Sequence, residues 1–254
     1  MLIQNPRGNY RFLQGIEPYS CGVIADPGYQ IVHVTLAHWL PWRLGFERVD
    51  AYLKSEGLER PALCAMELRC PVPFTMDGFL AFNQQYCSVL DSWGLLVDGL
   101  NPLARTNVSP ADNPPEESVL HGFSYVCAGG GEHQPSVIVA GAGELREGFL
   151  ENERIIRRGE TDREAMKEKS LYVMGVMEER LRGLGTSWES IGRVDVYTIH
   201  PVDALVEEIV LPRLGSTSRH GINWYRSRPP VVEIEYEMDT RGVERELLLD
   251  LGGR

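Results

Sequence analysis

No stretch of this chain approaches the roughly 20 consecutive apolar residues that span a bilayer. The segment Met1 to Tyr10 is polar where a secretory leader would carry an apolar core. Neither a membrane partner nor export is expected. The five cysteines are odd in number and contain no CxxC pair. Nothing in that pattern suggests a disulfide framework or a thiolate zinc site, and a reducing cytoplasm is the expected location. The six histidines have no HExxH or related ligand spacing, so no metal is expected. Gly141-Ala142-Gly143 lacks the rest of a dinucleotide fingerprint, so no nucleotide site is expected, and no other cofactor is expected either. Positive charge is also scarce, with 25 Lys and Arg against 36 Asp and Glu and a net charge of −11. Bases are interleaved with acids, as in Glu151 to Arg158, whereas a nucleic-acid partner needs a concentrated basic surface.

What is present is ordinary for a globular protein. The 254 residues, 43% hydrophobic and 24% charged, suffice for one large or two modest domains. The clearest pattern runs from Thr161 to Pro201. Thr161 as N-cap with Glu164 three residues on predicts a helix start. Met166, Ser170, Val173, Met174, Met177, Leu181 and Leu184 then follow at helical spacing. Gly183 and Gly185 end the helix, and Val194 to Ile199 reads as a strand.

An earlier stretch repeats this order. Phe46, Val49, Tyr52 and Leu53 make a helical face, Leu63 to Leu68 a strand, and Phe79, Phe82, Tyr86 and Leu90 a second helix. The second half matches that last helix with Val202 to Leu211. Gly8 to Gly15 reads as a strand, and Cys21 to Ile24 and Ile31 to Leu36 as a hairpin around Asp26-Pro27-Gly28. Val119 to Cys127 and Ser136 to Ala140 read as strands, with Gly129-Gly130-Gly131 as the boundary between them. Val231 to Met238 and Val243 to Leu251 read as a second hairpin, turning at Asp239-Thr240-Arg241-Gly242, with Glu233, Glu235 and Glu237 on its outer face. The expected class is therefore α+β, with two β-β-α-β-α-β domains in tandem at 1–130 and 131–254, helices on one face of a mixed sheet.

Several short motifs now carry a likeness: Pro18-Tyr19-Ser20, Phe82-Asn83-Gln84-Gln85-Tyr86, Ala104-Arg105-Thr106-Asn107-Val108 and, in the second half, Arg228-Pro229-Pro230 and Glu244-Arg245-Glu246. Their order resembles the Rid/YjgF family, and the resemblance covers most of the chain. It implies chorismate-mutase-like domains that assemble into trimers with clefts between neighbours. It also implies hydrolysis of enamines or imines to ketones and ammonia, with an arginine on the substrate carboxylate and a glutamate positioning water. The first copy keeps Arg105, but His121 stands nearest to where the glutamate belongs. The second copy keeps Arg228 and Glu244 but lacks the Pro-Tyr-Ser turn.

The resulting expectation is a hydrolase acting on a small carboxylate-bearing enamine, imine or unsaturated acid, working as a homotrimer. A protein that binds such a metabolite without turnover, and a chorismatase-like or ring-opening hydrolase, remain the alternatives. Arg105 and Arg228 are the candidate carboxylate anchors, because a planar guanidinium grips a carboxylate with two hydrogen bonds. Tyr19 and Trp224 are the candidate substrate-contacting aromatics. Glu244 and His121 are the candidate groups to direct water. Each also has a plain role: a surface ion pair for either arginine, a turn or interface residue for either aromatic, an edge-strand charge for Glu244 and a packed side chain for His121.

Overall fold

The computed structural model describes residues 1–129 and 135–252, so Gly130 and Gly131 of the expected boundary lie outside the described residues. Two mixed sheets lie face to face, with helices covering the outer side of each. The six-stranded sheet has the order β11-β6-β5-β7-β4-β13, from β4 (Tyr29–Pro41), β5 (Leu63–Arg69), β6 (Ala104–Pro110), β7 (Val119–Ala128), β11 (Ser227–Arg228) and β13 (Arg245–Leu249). The seven-stranded sheet has the order β1-β2-β3-β8-β12-β9-β10. Its strands are β1 (Leu2–Asn5), β2 (Tyr10–Leu13), β3 (Gly22–Ala25), β8 (Val137–Gly143), β9 (Arg193–Tyr197), β10 (Asn223–Tyr225) and β12 (Glu237–Gly242).

Both sheets share one wiring. In each, a strand leads through a helix to a second strand and through a helical segment to a third strand parallel to it; a later strand then inserts antiparallel between the first and the second. Strands from either side of residue 130 nevertheless enter both sheets: β1 to β3 extend the seven-stranded one, and β13 lies parallel to β4 in the six-stranded one.

The helices α1 (Trp42–Ser55) and α2 (Met76–Ser92) cover the six-stranded sheet through Trp42, Phe46, Val49, Phe82, Tyr86 and Leu90. Helix α3 (Arg163–Gly183) covers the other with Met166, Val173, Met174, Met177 and Leu181. Its cap is Asp162 rather than the expected Thr161. One oxygen of the Asp162 carboxylate accepts from both Glu164 N and Ala165 N at 3.0 Å, and its negative charge suits the helix N-terminus. The second helix expected at Val202 to Leu211 is instead a short α turn, a π turn at Val206–Val210 and another α turn ending at Leu214. Pro212 has no N–H to return to the preceding turn, which loosens it. Among the described residues no helix is long and apolar enough to cross a membrane.

Neither expected hairpin forms. The chain does turn at Gly28, where φ is +82°, but β3 then pairs with β8 and β4 with β7, in different sheets. The Asp239–Gly242 segment, read as a turn, is the body of β12. The preceding Val231–Tyr236 segment is irregular and has Glu233 at φ +73°.

Between the sheets the filling changes character along its length. One part is apolar and small-residue rich, with Tyr10, Phe12, Val23, Ala65, Ala104 and Ala140. The other part is charged: Glu237, Asp239 and Arg241 alternate along β12 and are all buried, opposite Glu67, Arg69, Arg105 and Thr106. A further charge lies wholly inside. Lys169 Nζ meets Glu144 Oε1 at 2.9 Å, both side chains are 0% exposed, and the Glu144 carboxylate also accepts from Glu235 N and Tyr236 N. Lys169→Met strands that carboxylate without its cation, and the expected cost is about 3–5 kcal/mol in urea unfolding. Adding Glu144→Gln should return part of it, since the amide removes the charge but accepts from only one of the two backbone N–H groups, and equal stability of the single variant and the parent would contradict this role.

Candidate active site

A cavity of about 350 Å³ opens where the edge of the six-stranded sheet meets β8 and β12. Arg105, on β6, lines it and is buried. Its guanidinium sits in an aromatic cage, 4.8 Å from the ring centre of Tyr19, 4.7 Å from Tyr86, 5.7 Å from Phe79 and 5.9 Å from Phe82. The last three, with Asn83, lie on one face of α2, because positions 79, 82, 83 and 86 recur at helical spacing. Thr75 caps that helix by accepting from Gly78 N. Tyr19 is held by its neighbour: Ser20 N donates to Leu103 O at 2.8 Å, and Ser20 Oγ to Pro102 O at 3.1 Å, which ties the Pro-Tyr-Ser turn to β6.

Arg105 Nη2 donates to Asn83 Oδ1 at 2.7 Å, while Nη1 has no hydrogen-bond partner among the described residues. A buried cation with a spare donor at a cavity wall is equipped to receive an anion.

Glu237 faces the same cavity from β12 and is 4% exposed. The glutamate row 233, 235 and 237, expected on a solvated outer face, is not one: Glu237 points between the sheets, while Tyr236 and Met238 pack with the helical layer. Burial, reinforced by the charges of Asp239 and Glu144, holds the Glu237 carboxyl well above the usual carboxylate range. That direction favours the protonated acid over the carboxylate. Gly141 makes room for it, since a Cβ there would stand 2.3 Å from Glu237 Oε1. Arg180, from α3, is fully engaged in shaping the wall. It donates to Ala140 O, Gly141 O and the Glu147 carboxylate, clasping the 146–150 segment that also borders the cavity.

A second charged cluster lies between the sheets, bordered by a far smaller cavity of about 10 Å³. Asp239 accepts from Thr106 and Tyr197, and burial pushes its carboxyl up to about 8. Arg241 bridges Asp195 and Glu246 and stands 3.5 Å from Glu67. Burial lowers His33 to about 4 and His121 to about 3, so both are neutral at ordinary pH. Among the described residues no group of three or more His, Cys, Asp and Glu is placed to hold a metal ion.

The sequence model of the family described as 2-aminomuconate deaminase CnbZ matches residues 2–247. The chain belongs to this deaminase family. A 2-amino-5-chloromuconate deaminase from Comamonas testosteroni is 36% identical over 244 residues, 95% of this chain and 96% of that one. Among solved structures, a chorismatase matches with a TM-score of 0.48 at 10% identity, over 88% of this chain and 77% of that one. A cyanuric acid hydrolase matches at 0.41 and 13%, over 84% and 67%.

Of the residues singled out in the sequence, this deaminase-family fold brings Arg105 and Tyr19 together in the large cavity. The other four lie elsewhere. Arg228 is on edge strand β11, with its side chain 45% exposed and 3.9 Å from Glu235. Trp224 is on edge strand β10, 47% exposed, and donates to Thr198 O. Glu244 is exposed between β12 and β13. His121 accepts from Trp39 Nε1 and stands 3.8 Å from Glu67, in the second cluster. Sequence reasoning missed Glu237, Asn83 and Asn107. The last two stood inside motifs already noted, and their spacing from Tyr86 and Arg105 was the available signal.

Proposed function

We propose that this chain hydrolyses an unsaturated 2-amino dicarboxylate of the 2-aminomuconate class to the 2-oxo acid and ammonia. One observation carries the reading: a single cavity pairs a caged cation that has a spare N–H with a buried carboxyl whose burial favours the protonated form. The family's activity supplies the substrate class.

Arg105 receives the carboxylate beside C2. Neutral Glu237 gives its proton to the enamine carbon chain, leaving an iminium at C2. Water then adds to C2 and its proton passes to the Glu237 carboxylate. Glu237 protonates the nitrogen of this carbinolamine. The C–N bond breaks, C2 becomes a ketone, and the hydroxyl proton returns to Glu237. One water is consumed, one ammonia leaves, and the acid is regenerated. General acid–base help of this kind contributes roughly 10²–10⁴-fold.

The shared wiring of the two sheets supports reading the halves as diverged copies of one Rid-like module, in which the first copy's arginine, Arg105, lines the large cavity. The experiment is ammonia release from freshly generated 2-aminomuconate and from 2-aminoacrylate. Release well above the spontaneous rate, faster with the dicarboxylate, is expected. A rate equal to the spontaneous one with both compounds would defeat the reading.

A further inference from the structure

Eight buried side-chain nitrogen and oxygen atoms lack a hydrogen-bond partner among the described residues, and five of them cluster at and behind the cavity wall around Arg105. They belong to Arg105, to Asn83 and Tyr86 that touch it, and to Asn107. Asn107 is the extreme case. It is 4% exposed, lines the cavity, and neither Nδ2 nor Oδ1 has a partner. A buried amide with both ends unsatisfied weakens a fold unless something entering the cavity satisfies it. Asn107 lies two residues from Arg105 on β6, so the two side chains leave the same face of the strand. A cation and an amide thus address one space side by side.

We propose that Asn107 reads the nitrogen on C2. Its Oδ1 accepts an N–H from the substrate's amino group, and its Nδ2 donates to the oxygen that arrives at the same carbon. The assignment rests on the deaminase reading above. With the C1 carboxylate on Arg105, the next atom along is C2 with its nitrogen, which is where a neighbouring amide meets it. The two ends of one amide match the amino and hydroxyl groups of the carbinolamine, so its hydrogen bonds are most complete after water has added. A hydroxyl side chain donates and accepts through one atom, whereas the amide does so through two separate atoms that can meet two substituents on one carbon, and a carboxylate would repel the substrate. Arg105 holds any small carboxylate; Asn107 selects those with nitrogen at C2.

The test uses Asn107→Leu, similar in shape and without hydrogen-bonding atoms. Calorimetry gives the affinities of hexanedioate and 2-aminohexanedioate for parent and variant, and steady-state kinetics follow 2-aminomuconate. The parent should bind the amino compound about tenfold more tightly, the worth of one good hydrogen bond. The variant should bind hexanedioate as the parent does, lose that preference, and show kcat lowered roughly 100-fold with KM raised by no more than about tenfold, the share of the loss already present in the ground state. Its thermal midpoint should be no lower, because two unsatisfied polar atoms have left the interior. Equal affinities in the parent, a preference that survives in the variant, or loss of hexanedioate binding together with the preference would each overturn the assignment. No ammonia release by the parent, with a preference that Asn107→Leu abolishes, would sink the deaminase reading but not this one. Normal turnover without any preference would do the reverse.

Discussion

Glu237→Gln should lower kcat by roughly 10²–10⁴-fold, the range for loss of a general acid–base group, and should make the protein more stable. Both effects follow from one placement. Glu237 is buried between two sheets with Asp239 two residues along the same strand, and its carboxyl is held well above its ordinary range. The sign of the pH effect is fixed by that direction. In the unfolded chain the carboxyl ionises near its ordinary value of 4.5, whereas in the fold it resists ionisation. Its contribution is complete below that value and is lost as pH rises toward the raised folded value. Asp239, pushed from 3.8 to about 8, loses stability over the same direction of pH change. Glutamine cannot ionise, so the stability gain of Glu237→Gln should grow from pH 5 to pH 8 in parallel urea titrations. A gain independent of pH, or kcat within a few-fold of the parent, would contradict the assignment of this residue as the acid.

Arg105→Ala should lower kcat/KM by roughly 10²–10³-fold, since truncating one partner of a buried charged contact costs about 2–5 kcal/mol. Arg105→Lys should recover little of it. The site is built for a planar group: four aromatic rings surround the guanidinium, one nitrogen is spent on Asn83 and the other is free for an anion. An ammonium offers neither the flat faces nor the fixed fork. Both variants should fold, with a loss on the order of 1–3 kcal/mol from leaving Asn83 Oδ1 unpaired. Circular dichroism with steady-state kinetics checks this. Activity within about threefold of the parent in Arg105→Ala would remove Arg105 from the site.

Much of this was legible before any coordinates. The helical faces of α1, α2 and α3 and strand β5 follow from the spacing of their apolar residues, because each element is amphipathic against one sheet. Arg105 and Tyr19 stood out through the motifs that resemble the Rid/YjgF family, and the fold does join them. Glu237 was illegible for a definable reason. Three glutamates at alternate positions describe a solvated strand face when the strand has one dry side, but only Glu237 lies on β12, which is covered on both sides, by helices and by the facing sheet. The same burial made Asp239 and Arg241 look like a turn, since nothing local says that Glu67, Asp195, Thr106 and Tyr197 will meet them from other strands. The passage of β3 and β4 into different sheets is likewise invisible locally. The turn at Gly28 is correct, and only the pairing of β3 with β8 decides where the strand goes.

The most direct test of the whole account is a crystal structure with muconate, which has both carboxylates and cannot be deaminated. One carboxylate should lie within hydrogen-bond distance of Arg105 Nη1 in the large cavity, with the adjoining carbon facing Glu237 and Asn107. Density for muconate at exposed Arg228, or against the Glu67 and His121 cluster, with the Arg105 cavity empty of it, would contradict the account.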